Sequence, residues 1–396
     1  MSMVHFSSCP VCGDDFPVDV LDIPEVPVYC NVLWPQREQA LKAARGSVNL
    51  KYCPGCTHVF NASYDVGLTN YTPDYDNSLH FSPHFNQYAE GLAASLVERY
   101  TLRGKTLVEI GCGKGDFLTL LCELGDNRGW GFDRSFDPAR VDEVRRQRIS
   151  FVQDFYDAEH AAKLGPDFVC CRHVLEHIAD PRGFLRELRR GFGDRTDAVL
   201  YFEVPNALFT LKDMGIWDLI YEHCAYFTLG SLTRAVTSSG FDVVDMGETF
   251  GGQFIFVEMR PGAGRMHVAV PDAHQSATVS LHAGLFAGQY SERVRSWQAR
   301  LRDLQQARRT VVVWGGGSKG VTFLNVLGAD RGIDYVVDLN PHKQGKYVAV
   351  TGQRVVSPEF LRTVRPTDVI VMNPIYESEI ADSVRALGLD ACLCCV

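Results

Sequence analysis

Long apolar runs are missing from this chain. None reaches the roughly 20 residues that cross a bilayer as a helix, and the opening MSMVHFSSCP lacks the basic-then-apolar order of a secretory leader. An excess of positive charge is missing too: Lys and Arg total 39 against 48 Asp and Glu, a net charge of −9. A broad nucleic-acid surface needs a basic stripe, so that class is disfavoured. A small anion is still allowed, because one lysine at a helix N-terminus holds a phosphate locally. No fixed-period repeat and no low-complexity tract interrupts the chain. These absences predict a cytoplasmic protein with no nucleic-acid and no membrane partner. A monomer or weak homodimer is expected.

What is present is a globular composition, 46% hydrophobic over 396 residues, enough for two or three domains. The thirteen cysteines read as thiols or metal ligands in a reducing compartment. Near the C-terminus, CLCCV has Leu393 at the fourth position from the end, where prenylation would need cysteine, so a buried strand is expected. Near the N-terminus, CPVC (Cys9, Cys12) and CPGC (Cys53, Cys56) are two C-x-x-C knuckles. Each places both sulfurs on one side of a tight turn, and together they predict a structural four-thiolate zinc site. Cys30 and His58 are spare candidates, and the alternative is two chance pairs.

From about Leu102 the pattern becomes strand, turn and helix in alternation. KTLVEIGCGKGDFLTLL is an apolar strand, a glycine turn (Gly111, Gly113, Gly115) and an amphipathic helix. Asp133 ends the following strand, where a carboxylate accepts from a ribose diol, and Asp154 is placed for an adenine amino group. Glu109 in the first strand and His173 in RHVLEHIADP complete the candidates on this side. The letters H-x-x-E-H (His173, Glu176, His177) also match a zinc-protease pattern, but here they follow a strand and a short loop, which argues for local helix contacts. A second α/β unit begins at RRTVVVWGGGSKG after a long helical stretch ending near Gln306. Its Gly315, Gly317 and Gly320, with Asp338 further on, fit a dinucleotide fingerprint. Lys319 within the loop suits a phosphate instead.

The stretch from Lys105 to about Pro205 resembles a class I S-adenosylmethionine-dependent methyltransferase. The whole layout resembles the three-domain sugar C-methyltransferases. The resemblance rests on the two knuckles, EIGCGKG, YEHCAYF, GGSKGVTFLN, YVVDLNPHKQGKY and SPEFL. It implies an α/β fold: a class I methyltransferase doubly wound sheet, with a small N-terminal zinc-binding domain and a C-terminal Rossmann-like domain. The implied bounds are 1–70 for the zinc domain, 71–260 for the methyltransferase domain, 261–307 for a linker and helix, and 308–396 for the last domain. S-adenosyl-L-methionine and zinc are the implied cofactors, and a nucleotide-linked keto deoxysugar is the implied acceptor.

The family's YHEHxxYF-type motif falls on Glu222 and His223, with Ile220 and Tyr221 at its first two positions. Carbon methylation next to a ketone needs a base for the C–H proton and donors for the enolate oxygen. His223 is the candidate base, Glu222 its tuner, and Tyr75 and Tyr221 the candidate donors. Tyr226, Asn206, Lys319 and Gly317 are candidates for holding the acceptor. The plainer reading of YEHCAYF is packing and helix capping, with Thr228 as a good N-cap. Transfer to oxygen or nitrogen of another small molecule is the alternative chemistry, and it would need no carbon acid.

Overall fold

Residues 8–70, 72, 74–137, 147–328 and 332–396 are described by the computed structural model. Period-two patterning builds the first sheet. In β2 (Arg45–Tyr52), Val48, Leu50 and Tyr52 turn inward in alternation. This strand pairs antiparallel with β1 (Val18–Pro27) and with β3 (Val59–Asn61). The fourth strand, β9 (Ala225–Tyr226), arrives from far along the chain and pairs with β3. The YEHCAYF segment is thereby tied to the N-terminal unit.

The second sheet has the order β10-β11-β8-β7-β4-β5-β6. Its members are β4 (Thr106–Ile110), β5 (Arg128–Phe132), β6 (Ile149–Val152), β7 (Phe168–Arg172), β8 (Val199–Pro205), β10 (Phe241–Thr249) and β11 (Phe254–Pro261). Only β11 runs antiparallel to its neighbours. The strands read as continuous apolar runs because both faces are covered. Phe168 and Cys170 of β7 join a core with the helices Pro83–Arg99 and Asp116–Gly125. Val169 and Cys171 face the opposite core, with the helices Pro181–Gly191 and Leu229–Thr237. Thr228 caps the last of these in a full capping box with Ser231.

The third sheet is entirely parallel, in the order β14-β13-β12-β15-β16. It comprises β12 (Val311–Trp314), β13 (Ile333–Val337), β14 (Arg354–Val356), β15 (Asp368–Val371) and β16 (Cys392–Cys395). The CLCC strand lies at its edge, with Cys394 buried and Cys392 exposed. The helix Ser276–Gln306 buries Val279, Ala283, Phe286, Tyr290, Trp297 and Leu301. These residues join one apolar cluster with Val48 of the first sheet and Val313 of the third. No helix among the described residues is long and apolar enough to cross a membrane. Strand order reverses at β4 in one sheet and at β12 in the other. Ligands of open parallel sheets bind at such points, beyond the strands' carboxyl ends.

Candidate active site

Both reversal points open into one cavity of about 970 Å³. On the methyltransferase side, β4 runs into Gly111–Gly115 and then the helix Asp116–Gly125. Gly113 has φ +53°, and a Cβ built there would meet nothing within 4 Å, so the loop leaves open space for a ligand. Asp133 Oδ2 accepts from the Gly113 amide at 2.8 Å, and its Oδ1 accepts from Ser135 N at 2.7 Å. Asp154 stands at the exposed rim and Glu109 at the floor. Burial pushes the Glu109 carboxyl up to about 8, although the Leu118 amide donates to it. This cradle fits S-adenosylmethionine: glycines for close approach, a helix N-terminus, and acidic groups for the ribose and adenine.

The second loop repeats the first in outline. Gly316 N donates to Asp338 Oδ2 at 2.8 Å, as Gly113 does to Asp133. Gly317 caps the helix Ser318–Leu327 and lines the cavity. Lys343, buried, lies 3.8 Å from Asp338 and 3.5 Å from the Gly316 carbonyl. Lys319 lines the cavity but is ion-paired to Asp218, so it is not a bare cation in the loop.

Between the loops lies a cluster from the chain after β7 and the chain before β9. Carboxylate and ring-nitrogen atoms of Glu176, His177 and His223 lie within 4.8 Å of one another. His177 and His223 meet edge to face at 4.9 Å between ring centres. His177 Nδ1 is 2.9 Å from the Glu222 carbonyl oxygen, and His223 is hydrogen-bonded to the Asp218 carbonyl. Burial pushes the His223 pKa well below 6.5, helped by His177, His173 and Lys319, so its ring is neutral and has a nitrogen lone pair able to take a proton. Tyr75 faces the same cavity, with Asn31 Nδ2 3.4 Å from its hydroxyl. Burial, then Glu222, pushes the Tyr75 pKa well up and keeps its proton on.

Several sequence-derived site residues sit elsewhere. Tyr221 is buried beside Gly46 and Tyr64, and its hydroxyl accepts from Asp65 N at 2.8 Å. It is absent from the cavity wall. The Tyr226 hydroxyl braces its own loop through Ile220 N and O, at 3.2 and 3.0 Å. Asn206 caps the helix Ala207–Lys212 and bonds Glu248 and Gly252. The Glu222 carboxyl turns behind the wall and accepts from Cys30 N at 2.7 Å. Adjacent residues diverge, so this carboxyl does not contact the His223 ring as a tuner. His173 does line the cavity, with φ +57°. Burial lowers its pKa, but Glu176 and Glu203 outweigh that and raise it to about 9. The sequence reading set His177 aside as a local helix contact and passed over Asp218, Asn31 and Lys343. His177 had a local signal in the H-x-x-E-H spacing, and Lys343 lay within the YVVDLNPHKQGKY stretch.

Cys9, Cys12, Cys53 and Cys56 come together in the N-terminal unit, all four sulfurs within 4.8 Å. Cys9 and Cys56 are 3.6 Å apart, and Cys12 and Cys53 are 3.4 Å apart. Tetrahedral zinc with Zn–S near 2.3 Å needs sulfurs about 3.8 Å apart, so the donor set fits. Cys30 lies instead by Thr322, 3.9 Å away, and His58 packs on Phe60 and Phe227.

Comparison with known proteins agrees with this arrangement. Residues 85–246 match a family described as a methyltransferase domain, and residues 272–389 match a C-methyltransferase C-terminal domain. The chain is 26% identical to C-methyltransferase NovU of Streptomyces niveus over 95% of its own length and 91% of the relative's. An Escherichia coli ubiquinone biosynthesis O-methyltransferase is 32% identical over 91 residues, 22% of this chain and 37% of that one. Magnesium protoporphyrin IX methyltransferase from Synechocystis, solved with bound S-adenosylhomocysteine, is 22% identical with a TM-score of 0.34, covering 45% of this chain and 84% of that one. The NovU likeness runs through all three sheets, beyond the donor-binding part that methyltransferases share. The two family matches and the NovU likeness together support a multi-domain S-adenosylmethionine-dependent C-methyltransferase family for this chain.

Proposed function

We propose that the acceptor is a nucleotide-linked keto deoxysugar, methylated on the carbon beside its ketone by way of an enolate. The observation that carries this reading is one cavity shared by two glycine loops, with a neutral histidine between them. Its volume is at the upper end of ordinary ligand pockets, about 300–1,000 Å³, which suits two ligands together. S-adenosylmethionine supplies an electrophilic methyl group, and the C–S electron pair stays with sulfur. The chain's own residues make the acceptor carbon nucleophilic.

His223 takes the proton from the carbon next to the ketone, using the ring nitrogen that the Asp218 carbonyl leaves bare. The C–H electron pair becomes the C=C bond of the enolate while the C=O π pair moves onto the ketone oxygen, and Tyr75, held as a phenol, donates to that oxygen. On transfer the C=O re-forms, and the C=C pair makes the new bond to the methyl carbon. Lys343 beside Asp338 offsets the carboxylate, which favours an anion over a ribose diol at the second loop. Lys319 and Gly317 lie at the same loop, so the acceptor's phosphates belong there. Zinc held by the four cysteines serves the fold, since all four donors come from protein and the cluster lies apart from the cavity wall.

The test is product mapping. The protein is incubated with donor carrying a ¹³C methyl and with nucleotide-linked 4-keto deoxysugars of each common base. A methyl carbon coupled directly to a ring carbon is expected. A methyl on oxygen or nitrogen would replace this reading with heteroatom transfer.

A further inference from the structure

A residue of the N-terminal unit enters the cavity wall on a loop fastened from three sides. The Cys30 amide donates to Glu222 Oε2 at 2.7 Å, and the Asn31 carbonyl accepts from Asp76 N at 3.1 Å. Three residues on, Trp34 and Tyr347 exchange backbone hydrogen bonds at 3.0 and 2.8 Å, which ties the loop to the unit of the third sheet. Asn31 itself is 3% exposed and lines the cavity.

The two ends of its side-chain amide have different neighbours. Nδ2 donates to the Tyr75 hydroxyl oxygen at 3.4 Å. That oxygen accepts here, so its own proton points away from Asn31. Oδ1 has no hydrogen-bond partner among the described residues. A Cβ built at Gly317 would lie 3.8 Å from this oxygen and 3.7 Å from Lys343 Nζ. The glycine thus leaves a space bordered by an amide oxygen and an ammonium group. Burying an amide oxygen without a partner costs free energy, so an orphan of this kind in a cavity wall calls for a donor on a ligand.

We propose that Asn31 is an acceptor-binding residue: its Oδ1 accepts a hydrogen bond from a ring hydroxyl or amino group of the acceptor sugar, while its Nδ2 keeps the Tyr75 proton turned towards the ketone oxygen. This rests on the keto-sugar reading above. Asn31 reaches Tyr75 at one end and the second glycine loop at the other. The group it holds therefore lies on the stretch of the sugar ring between the ketone and the phosphate-bearing carbon.

Calorimetry on the full chain, with S-adenosylhomocysteine filling the donor site, tests it. The probes are a nucleotide-linked 4-keto-6-deoxyhexose and its counterparts with hydrogen in place of the hydroxyl at position 2 or at position 3. Wild type should lose about 5-fold or more in affinity for one of the two counterparts, since a buried acceptor is then left unpaired. Asn31→Leu, which removes the oxygen, should bind all three alike, and Asn31→Ala replaces it if that variant does not fold. Asn31→Asp keeps an accepting oxygen but has no donor for Tyr75. It should still discriminate, while its kcat falls about 10-fold or more because the carboxylate draws the Tyr75 proton away from the ketone. Equal binding of all three probes by wild type would overturn the proposal, as would undiminished discrimination in Asn31→Leu or Asn31→Ala. An unchanged kcat in Asn31→Asp would overturn the Tyr75 half of it. If wild type binds none of the probes, the keto-sugar reading itself fails and takes this inference with it.

Discussion

His177 Nδ1 lies 2.9 Å from the backbone carbonyl oxygen of Glu222. A carbonyl only accepts, so Nδ1 carries the proton of the neutral ring and Nε2 does not. The bond ties the loop after β7 to the loop that carries His223. It also explains why the Glu222 side chain can turn away from the cavity while its backbone still shapes it. His177→Ala removes the tie. The expected result is a fall in kcat of about 2–12-fold, the worth of one ordinary hydrogen bond, with unchanged donor affinity by calorimetry. An unaltered kcat in a folded variant would count against this role.

The acid limb of kcat/KM should lie below the ordinary histidine value of 6.5. Burial, then His177, His173 and Lys319, holds the His223 pKa down, and a base works only when unprotonated. The rate should therefore hold as pH falls through 6.5 and decline only further down. A pH profile measured with saturating donor checks this, and a limb at or above 6.5 would contradict it.

Stability should carry the opposite signature. Burial raises the Glu222 and Glu109 carboxyls from 4.5 to about 8. The folded state then binds protons that the unfolded chain has already lost, so this stability is full below about 4.5 and drains away as pH rises towards 8. Glu222→Gln mimics the protonated acid. It should flatten part of that decline in denaturant titrations at several pH values. A decline as steep as that of wild type would show that Glu222 is charged in the folded protein.

Much of the donor side is legible in the sequence. The glycine loop, Asp133 and Asp154 are set by spacing along consecutive strands and loops, and the structure puts them on one wall. The same holds for the second loop with Asp338. Side-chain direction in the irregular Ile220–Cys224 turn is not legible. Tyr221 goes to the N-terminal core because Gly46 leaves room for its ring; a Cβ at Gly46 would stand 2.3 Å from that ring. Asn31, Asp76 and Lys343 are hidden for another reason. They meet only because the first and third sheets share a core with the helix Ser276–Gln306, a contact no local pattern encodes.

Metal replacement separates a structural ion from a catalytic one. Glu176, His177 and His223 also lie close enough to share a cation. If the metal serves only the four cysteines, analysis should give about one zinc per chain. Cadmium, which thiolates hold well, should then replace it with kcat retained. A stripped protein that stays folded but regains activity only with added divalent metal would move the metal to the histidine cluster.

The most direct measurement of the central claim is proton exchange at the acceptor carbon. In deuterated water, with S-adenosylhomocysteine in the donor site so that no methyl can transfer, a bound nucleotide-linked 4-keto deoxysugar should exchange the hydrogen next to its ketone. His223→Asn keeps a hydrogen-bonding amide but no base. It should slow both this exchange and methylation by about 10²–10⁴-fold, the usual worth of a general base, while both ligands still bind. Exchange at the wild-type rate in His223→Asn, or methylation by wild type without any exchange-competent carbon in the acceptor, would contradict the account.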